Sequence, residues 1–309
     1  MIDRRQFTLA SAALLGAGGS ARAQTLESAR ILCGFPAGGT TDAVSRRIAD
    51  KLRGVHAKAV VVDNKPGAGG RLAVEELKRS PNDGSVLLLT PASMITLYPH
   101  LYTKLAYGIE DVTPLSTACM VSFGFGVGPA VPESVKSLKD FLAWAKANPN
   151  AANYGSPGAG SPPHFVGALL SKESGVELRH VPYRGSAPGI QDLLGGQVTS
   201  FTSPIGDYLP HLKSGKLRLL ATSGAARSRF TPDVPTYTEQ GFKPLEFSEW
   251  FGFFLPGKTA PDLTQRLGAA IKAAVMAPDT VEAFAQLGLE AQANTPAEMA
   301  QAVRDENQA

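Results

Sequence analysis

Phe35-Pro36-Ala37-Gly38-Gly39-Thr40-Thr41-Asp42 decides the reading of the fold, because it ends a short apolar strand and opens an amphipathic helix through a glycine turn. Downstream, Val44, Ile48 and Leu52 recur at i+4 while Arg46, Arg47, Asp50 and Lys51 face the other way, which predicts a helix. The free N–H groups of its first turn point back at Gly38, Gly39 and Thr40. Together with the helix dipole they favour a carboxylate or phosphate, and glycine lets the ligand approach the backbone. The loop alone does not separate this reading from an ordinary capped βα turn.

Outward from this turn the pattern alternates, with strands at 31–35, 58–63 and 85–90 and helices at 41–53 and 69–79. Such alternation predicts βαβ units and a parallel sheet. A second alternating set covers about 124–223, with helices at 137–147, 161–174, 185–194 and 204–214 and strands near 152–154, 178–181, 198–202 and 217–223. An aromatic strand at 247–255 then leads into helices at 261–276 and 280–287, which are placed back on the first lobe. The expected organisation is an α/β chain of two lobes, 24–122 plus 225–309 and 123–224, with crossings near 120–125 and 222–226.

The first 23 residues are set aside as an export signal. Arg4-Arg5-Gln6-Phe7 precedes a mildly apolar Gly- and Ala-rich run, and Ala21-Arg22-Ala23 supplies a small-x-small cleavage site after Ala23. The paired arginines resemble a twin-arginine signal, although Asp3 stands where Ser or Thr is usual. The run is shorter than the roughly 20 residues a membrane span needs. Without this segment the chain holds 27 basic and 26 acidic side chains, so charge offers no case for nucleic acid or a membrane surface. Cys33 and Cys119 lie in apolar strand-like segments; an oxidising compartment permits a disulfide, and two buried thiols are the favoured alternative.

A second glycine loop, Tyr154-Gly155-Ser156-Pro157-Gly158-Ala159-Gly160-Ser161-Pro162-Pro163-His164, opens a helix in the second lobe, with Ser161 and Pro162 as N-cap and N1. Two such loops in different lobes could face each other across a cleft, or be two unrelated turns. A third, Asn64-Lys65-Pro66-Gly67-Ala68-Gly69-Gly70, either walls that cleft or caps a helix. Gly252-Phe253-Phe254-Leu255-Pro256-Gly257-Lys258-Thr259 matches the phosphate-loop pattern by letter, but its apolar run reads as buried strand, Pro256 lacks an N–H and Pro261 puts the helix start beyond Thr259. His56, His100, His164, His180 and His211 are scattered without metal-ligand spacing, and no Gly-x-Ser-x-Gly elbow occurs. Arg184, in Tyr183-Arg184-Gly185-Ser186, either meets a carboxylate or is solvated.

With these loops in place, the chain resembles the Bug (Bordetella uptake gene, TctC-like) family of periplasmic receptors over nearly all of its mature length. The marks are residues 35–42 and 64–70, Asn82-Asp83-Gly84, the 154–164 loop, Val181-Pro182-Tyr183-Arg184-Gly185-Ser186, Leu194-Gly195-Gly196-Gln197-Val198, Pro232-Asp233-Val234-Pro235-Thr236 and Trp250. The resemblance implies a type II periplasmic binding protein, a Venus flytrap whose lobes are each a mainly parallel sheet flanked by helices. It implies a monomeric, non-enzymatic receptor that closes over a small carboxylate and delivers it to membrane permease subunits of a tripartite tricarboxylate transporter, with no cofactor, metal or nucleic acid. The ligand contacts it implies are Phe35, Gly38, Gly39, Thr40, Thr41, Asp42, Gly67 and Ser93 in the first lobe. In the second they are Ser156, Gly160, Ser161, Pro162, His164, Arg184 and Ser203. Asp42, itself anionic, is expected to orient its loop by accepting backbone N–H groups.

Three departures from the family pattern matter. Relatives that take amino acids tend to carry an acidic residue after the strand at 198–202, where this chain has Thr202, Ser203 and Pro204; that favours an acid without an amine, aromatic acids included. Arg71 replaces a small polar residue, and the sequence stops short of the usual terminal helix. The competing readings are an exported α/β hydrolase using Ser156 or Ser186, and an orphan sensor subunit with the same ligand clamp.

Overall fold

The computed structural model describes residues 26–308; the export signal and its cleavage point lie outside the described residues. Strands β1 (Leu26–Cys33), β2 (Ala57–Asn64) and β3 (Val86–Pro91) alternate with helices α1 (Thr40–Leu52) and α2 (Arg71–Lys78) and pair in parallel in the order β2-β1-β3. After β4 (Val112–Val127) come α3 (Leu138–Ala147), β5 (Asn153–Ser156), α4 (Pro162–Ser174), β6 (Arg179–Pro182), α5 (Ser186–Leu194), β7 (Ser200–Pro204) and β8 (Arg218–Thr222). The chain closes with β9 (Ser248–Pro256), α6 (Pro261–Val275), α7 (Pro278–Gln286), β10 (Glu290–Ala291) and α8 (Pro296–Gln308). Strands β7, β5 and β6 form the parallel part of the second lobe. Antiparallel β9 and β4 stand between the two parallel sets, giving the order β2-β1-β3-β9-β4-β7-β5-β6.

The period-two alternation of an apolar strand explains how the first lobe is filled. Phe253 and Leu255 of β9 join Ile31, Ile48, Leu89 and Ile271 on one face of the sheet, while Phe254 joins Leu32, Leu88, Tyr98 and Met299 on the other. In the second lobe Phe125, Phe141, Tyr154 and Leu170 form one core and Ile190, Phe201, Tyr208 and Leu219 another. Tyr237 and Leu245, from the polar stretch before β9, pack into the core around Phe141. The helix expected over 204–214 is instead a 3-10 turn, Ile205–Asp207, followed by a short turn, Leu209–Leu212, because Tyr208 is drawn inward to donate to the Phe201 carbonyl at 2.6 Å. The phosphate-loop lookalike is the end of β9: Phe253, Phe254 and Leu255 are fully buried, Thr259 Oγ1 donates to the Pro256 carbonyl, and α6 starts at Pro261. Cys33 and Cys119 are both free and buried, and no helix among the described residues is long and apolar enough to cross a membrane.

The lobes are joined at one knot. Strand β4 pairs with β9 up to Ser122 and from Phe123 onward with β7, so the first crossing occurs inside a continuous strand. Ser223, fully buried, ties the others to it: its N–H donates to Phe123 O, its Oγ accepts from Phe123 N and donates to Phe247 O, and Phe247 N donates to Ser223 O. Ser223→Ala strands the buried Phe123 N–H and is expected to cost about 1–2 kcal/mol. An unchanged denaturant midpoint would contradict this role for the hydroxyl.

Candidate functional site

Three helix N-termini converge between the lobes. Helix α1 begins after Gly39, α4 after Ser161 and α5 after Gly185, and at none of them does the N-cap side chain accept a first-turn N–H. Those first-turn donors therefore remain for a ligand. The contribution of α4 is small, since Pro162 and Pro163 at its start carry no N–H. Phe35, Gly39, Thr40, Thr41, Ser161, Pro162 and Ser186 line a cavity of about 40 Å³, walled otherwise by Pro36, Pro91, Met94, Phe123, Pro157, Pro163, Pro204, Glu249 and Phe251. Both lobes contribute walls to it. A second recess of about 360 Å³ on the outer side shares Gly39 and Thr40 and is lined also by Gly38, Ala187 and Asp207.

The first loop is held in shape by Asp42. Its carboxylate, 4 % exposed, accepts from Gly38 N at 3.0 Å, Arg46 Nε at 2.9 Å and Asn64 Nδ2 at 2.9 Å. Burial pushes this carboxyl up, but the hydrogen bonds from Arg46, Gly38 and Asn64 outweigh it and hold it below the usual aspartate range. Asn64 also donates to Phe35 O, so the third loop's leading residue clamps the first. Arg71 lies 4.0 Å over the Tyr102 ring, a cation–π contact, and donates to Ala68 O.

Across the cleft, Thr40 Oγ1 donates to Asp207 Oδ1 at 2.7 Å, and Ser203 Oγ donates to Asp207 Oδ2 and packs at 2.9 Å from Ser186 Oγ. An acidic residue thus does follow β7, three positions beyond Pro204, with both carboxylate oxygens occupied by hydroxyls. The helix that the pattern predicts over 204–214 would not turn Asp207 back toward Thr40; the 3-10 turn Ile205–Asp207 does.

The remaining expected contacts lie further out. Ser156 is fully buried and its Oγ donates to Gly158 O; it also hydrogen-bonds His180 Nε2 at 2.8 Å. His164 Nδ1 accepts from Gly160 N at 3.1 Å and its ring stacks on His180, with centroids 4.0 Å apart. Both therefore shape the second loop from behind the cavity. Arg184 is exposed and Gly67 half-buried, and neither lines the cavity. Ser93, 3 % exposed, reaches it indirectly, through a 2.9 Å hydrogen bond from its N–H to Glu249 Oε1. Glu249 is absent from the contacts expected from the sequence, although it stands as a lone acid inside the apolar run 247–255.

The Ser156–His180 pair has the outline of a hydrolytic dyad but not its chemistry. Burial, with the neighbouring His164, lowers the His180 imidazole to about 4, which makes it a weak base, and the hydroxyl is sealed from solvent.

Two lobes hinged on adjacent crossings, with helix N-termini aimed at a shared cavity, define a ligand-clamping binding protein. The chain belongs to the family described as tripartite tricarboxylate transporter family receptor, whose model matches residues 44–309. This is a family of periplasmic solute-binding proteins, not of enzymes. The chain is 35% identical over 262 residues to "UPF0065 protein in gbd 5'region" of Cupriavidus necator, covering 84% of this chain and 78% of that one. It is 33% identical to Protein BugT of Bordetella pertussis, covering 89% and 84%. Among solved structures it superposes on the periplasmic binding protein BugD with a TM-score of 0.84 at 29% identity, covering 91% and 94%. A Rhodopseudomonas palustris protein with adipate gives a TM-score of 0.84 at 28% identity, covering 91% and 94%. R. palustris MatC with bound malate gives 0.83 at 26%, covering 91% and 96%.

The lobes meet through glycine. At φ +110° Gly185 lies where an added Cβ would sit 2.5 Å from Pro36 Cδ of the opposite lobe. Gly185→Ala is expected to cost about 1–3 kcal/mol of stability in either state through backbone strain and, through its clash with Pro36, to disfavour the closed state enough to weaken ligand binding about tenfold. Small-angle scattering at saturating ligand then shows a larger radius of gyration than wild type; equal radii and affinities would contradict it.

Proposed function

We propose that this receptor binds a small organic carboxylate without an amine, in the periplasm, as a monomer, and delivers it to the permease subunits of a tripartite tricarboxylate transporter. The observation that carries the reading is the convergence of uncapped helix N-termini on a cavity lined by no described lysine or arginine. Backbone N–H groups of the first turn of α1, with the Thr41 and Ser186 hydroxyls, would hold the carboxylate, the Thr40 and Ser161 hydroxyls being committed to Asp207 and the Gly158 carbonyl. Asp207, held by Thr40 and Ser203, does not line this cavity, which supports an amine-free solute. The malate and adipate of the R. palustris structures are consistent with this class. The packing of Tyr237 and Leu245 favours moving the second lobe boundary from 225 to about 247. Thermal shift against a panel of organic acids tests the function: a saturable rise with an unaltered carboxylate is expected. Preferential stabilisation by amino acids, or by none of the acids, would defeat it.

A further inference from the structure

The charge-poor cavity has one ionisable exception. Glu249, 3 % exposed, lines it together with Pro91, Met94 and Phe251, and on its other side lines a recess of about 710 Å³. No described lysine or arginine lines either space. Its Oε1 accepts the Ser93 N–H, while the equally buried Ser93 Oγ has no hydrogen-bond partner among the described residues. A carboxyl withdrawn from water without a counter-ion favours its neutral form, and a neutral carboxyl is a strong donor.

We propose that protonated Glu249 is the specificity-determining group of the cleft, donating its O–H to an acceptor oxygen at the far end of a dicarboxylate whose near carboxylate rests on the helix N-termini; the cavity of about 40 Å³ holds little more than a water molecule, so the lobes stand further apart around the bound solute than they do in this structure. This rests on the carboxylate reading above and deepens it. Ionised Glu249 would instead set one carboxylate against another in a cavity lined by no described cation, so binding the dianion requires the proton. Burial pushes Glu249 up to about 7, and nearby Glu306 adds to the rise. Hydrogen bonding from Ser93 pulls the other way but is outweighed by burial. Glu306 of α8 accepts from Trp250 Nε1 at 2.6 Å. The Tyr98 phenol is held well above its ordinary value by burial, with Tyr102 and Glu249 adding to the rise. His100 lines the larger recess, and the hydroxyls of Ser161 and Ser186 in the opposite lobe are uncharged.

Calorimetry of the full chain with malate, adipate, butyrate and glutamate from pH 5.5 to 8.5 tests this. Wild type should lose about tenfold in dicarboxylate affinity per pH unit above 7, with butyrate changing far less. Glu249→Gln, a permanent donor, should bind dicarboxylates with an affinity independent of pH. A flat wild-type profile, or glutamate bound more tightly at pH 8.5 than malate, overturns the proposal while leaving a carboxylate receptor standing. Binding of none of the carboxylates at any pH overturns both. The wild-type profile needs no variant to be decisive.

Discussion

Gly39→Val should fold and bind far more weakly. Gly39 sits at the N-cap of α1 with φ −89° and ψ 171°, extended backbone that valine adopts readily, and an added Cβ there meets nothing within 4 Å. That open space belongs to the interlobe cavity and to the outer recess, both of which Gly39 lines. The fold therefore loses only the modest N-cap difference between glycine and valine, about 1 kcal/mol. The ligand loses much more. Valine's methyl groups take up part of a cavity of about 40 Å³ and stand between the solute and the α1 N–H groups. Overpacking of a fitted site costs about 2–3 kcal/mol, equivalent to roughly 30- to 150-fold in affinity. Calorimetry with the best acid from the thermal-shift panel measures this, and an unchanged dissociation constant would show that the first loop is not part of the clamp. Gly185 is the useful contrast: there the added atom collides with Pro36 of the other lobe, so closure suffers before ligand contact does.

The βα alternation was legible because each element depends on local periodicity: Val44, Ile48 and Leu52 specify α1 whatever surrounds them. Long-range packing set what the sequence did not show. Strand β4 runs through Gly124 and Gly126, which break an apolar pattern on paper; in the fold the Tyr208 ring packs there, and an added Cβ at Gly126 would lie 2.4 Å from it. Helix α8 begins where the Thr295 and Glu298 side chains each accept the other's backbone N–H, and it buries Met299 and Val303, a signal local enough to have been read but overlooked. In the site, the glycine loops announced themselves through Gly38, Gly39 and Ser161, because helix N-termini have a sequence signature. Asp207 and Glu249 did not. Each reaches the cleft region from an element whose path is fixed by contacts far away in sequence, Asp207 to Thr40 and Glu249 to Ser93.

Glu249→Gln is expected to stabilise the unliganded protein at alkaline pH and to leave it unchanged in acid. In the folded chain burial raises Glu249 from 4.5 to about 7, so between those values the folded state holds a proton that the unfolded state releases. Its contribution is therefore fully present below pH 4.5 and is lost as pH rises through 7. At pH 8 the loss amounts to about 3 kcal/mol. Glutamine keeps the shape and the acceptor for Ser93 N–H but has no proton to lose, so the variant should melt about 5–10 °C higher at pH 8. The gap should close steadily toward pH 4.5. His180 works with the opposite sign: lowered from 6.5 to about 4 by burial and by His164, it favours folding above 6.5 and loses that contribution as pH falls through 4. His180 is only partly buried, so solvent screening makes its effect the smaller one. In wild type this slope and that of Glu249 oppose each other between pH 4.5 and 6.5, with His56 and His164, also lowered by burial, on the side of His180; in Glu249→Gln the histidine slopes lose that opposition, and stability should fall more steeply on acidification from pH 6.5. Equal melting temperatures at pH 8, or a gap that persists at pH 4.5, would show that Glu249 is not the buried neutral acid its surroundings require.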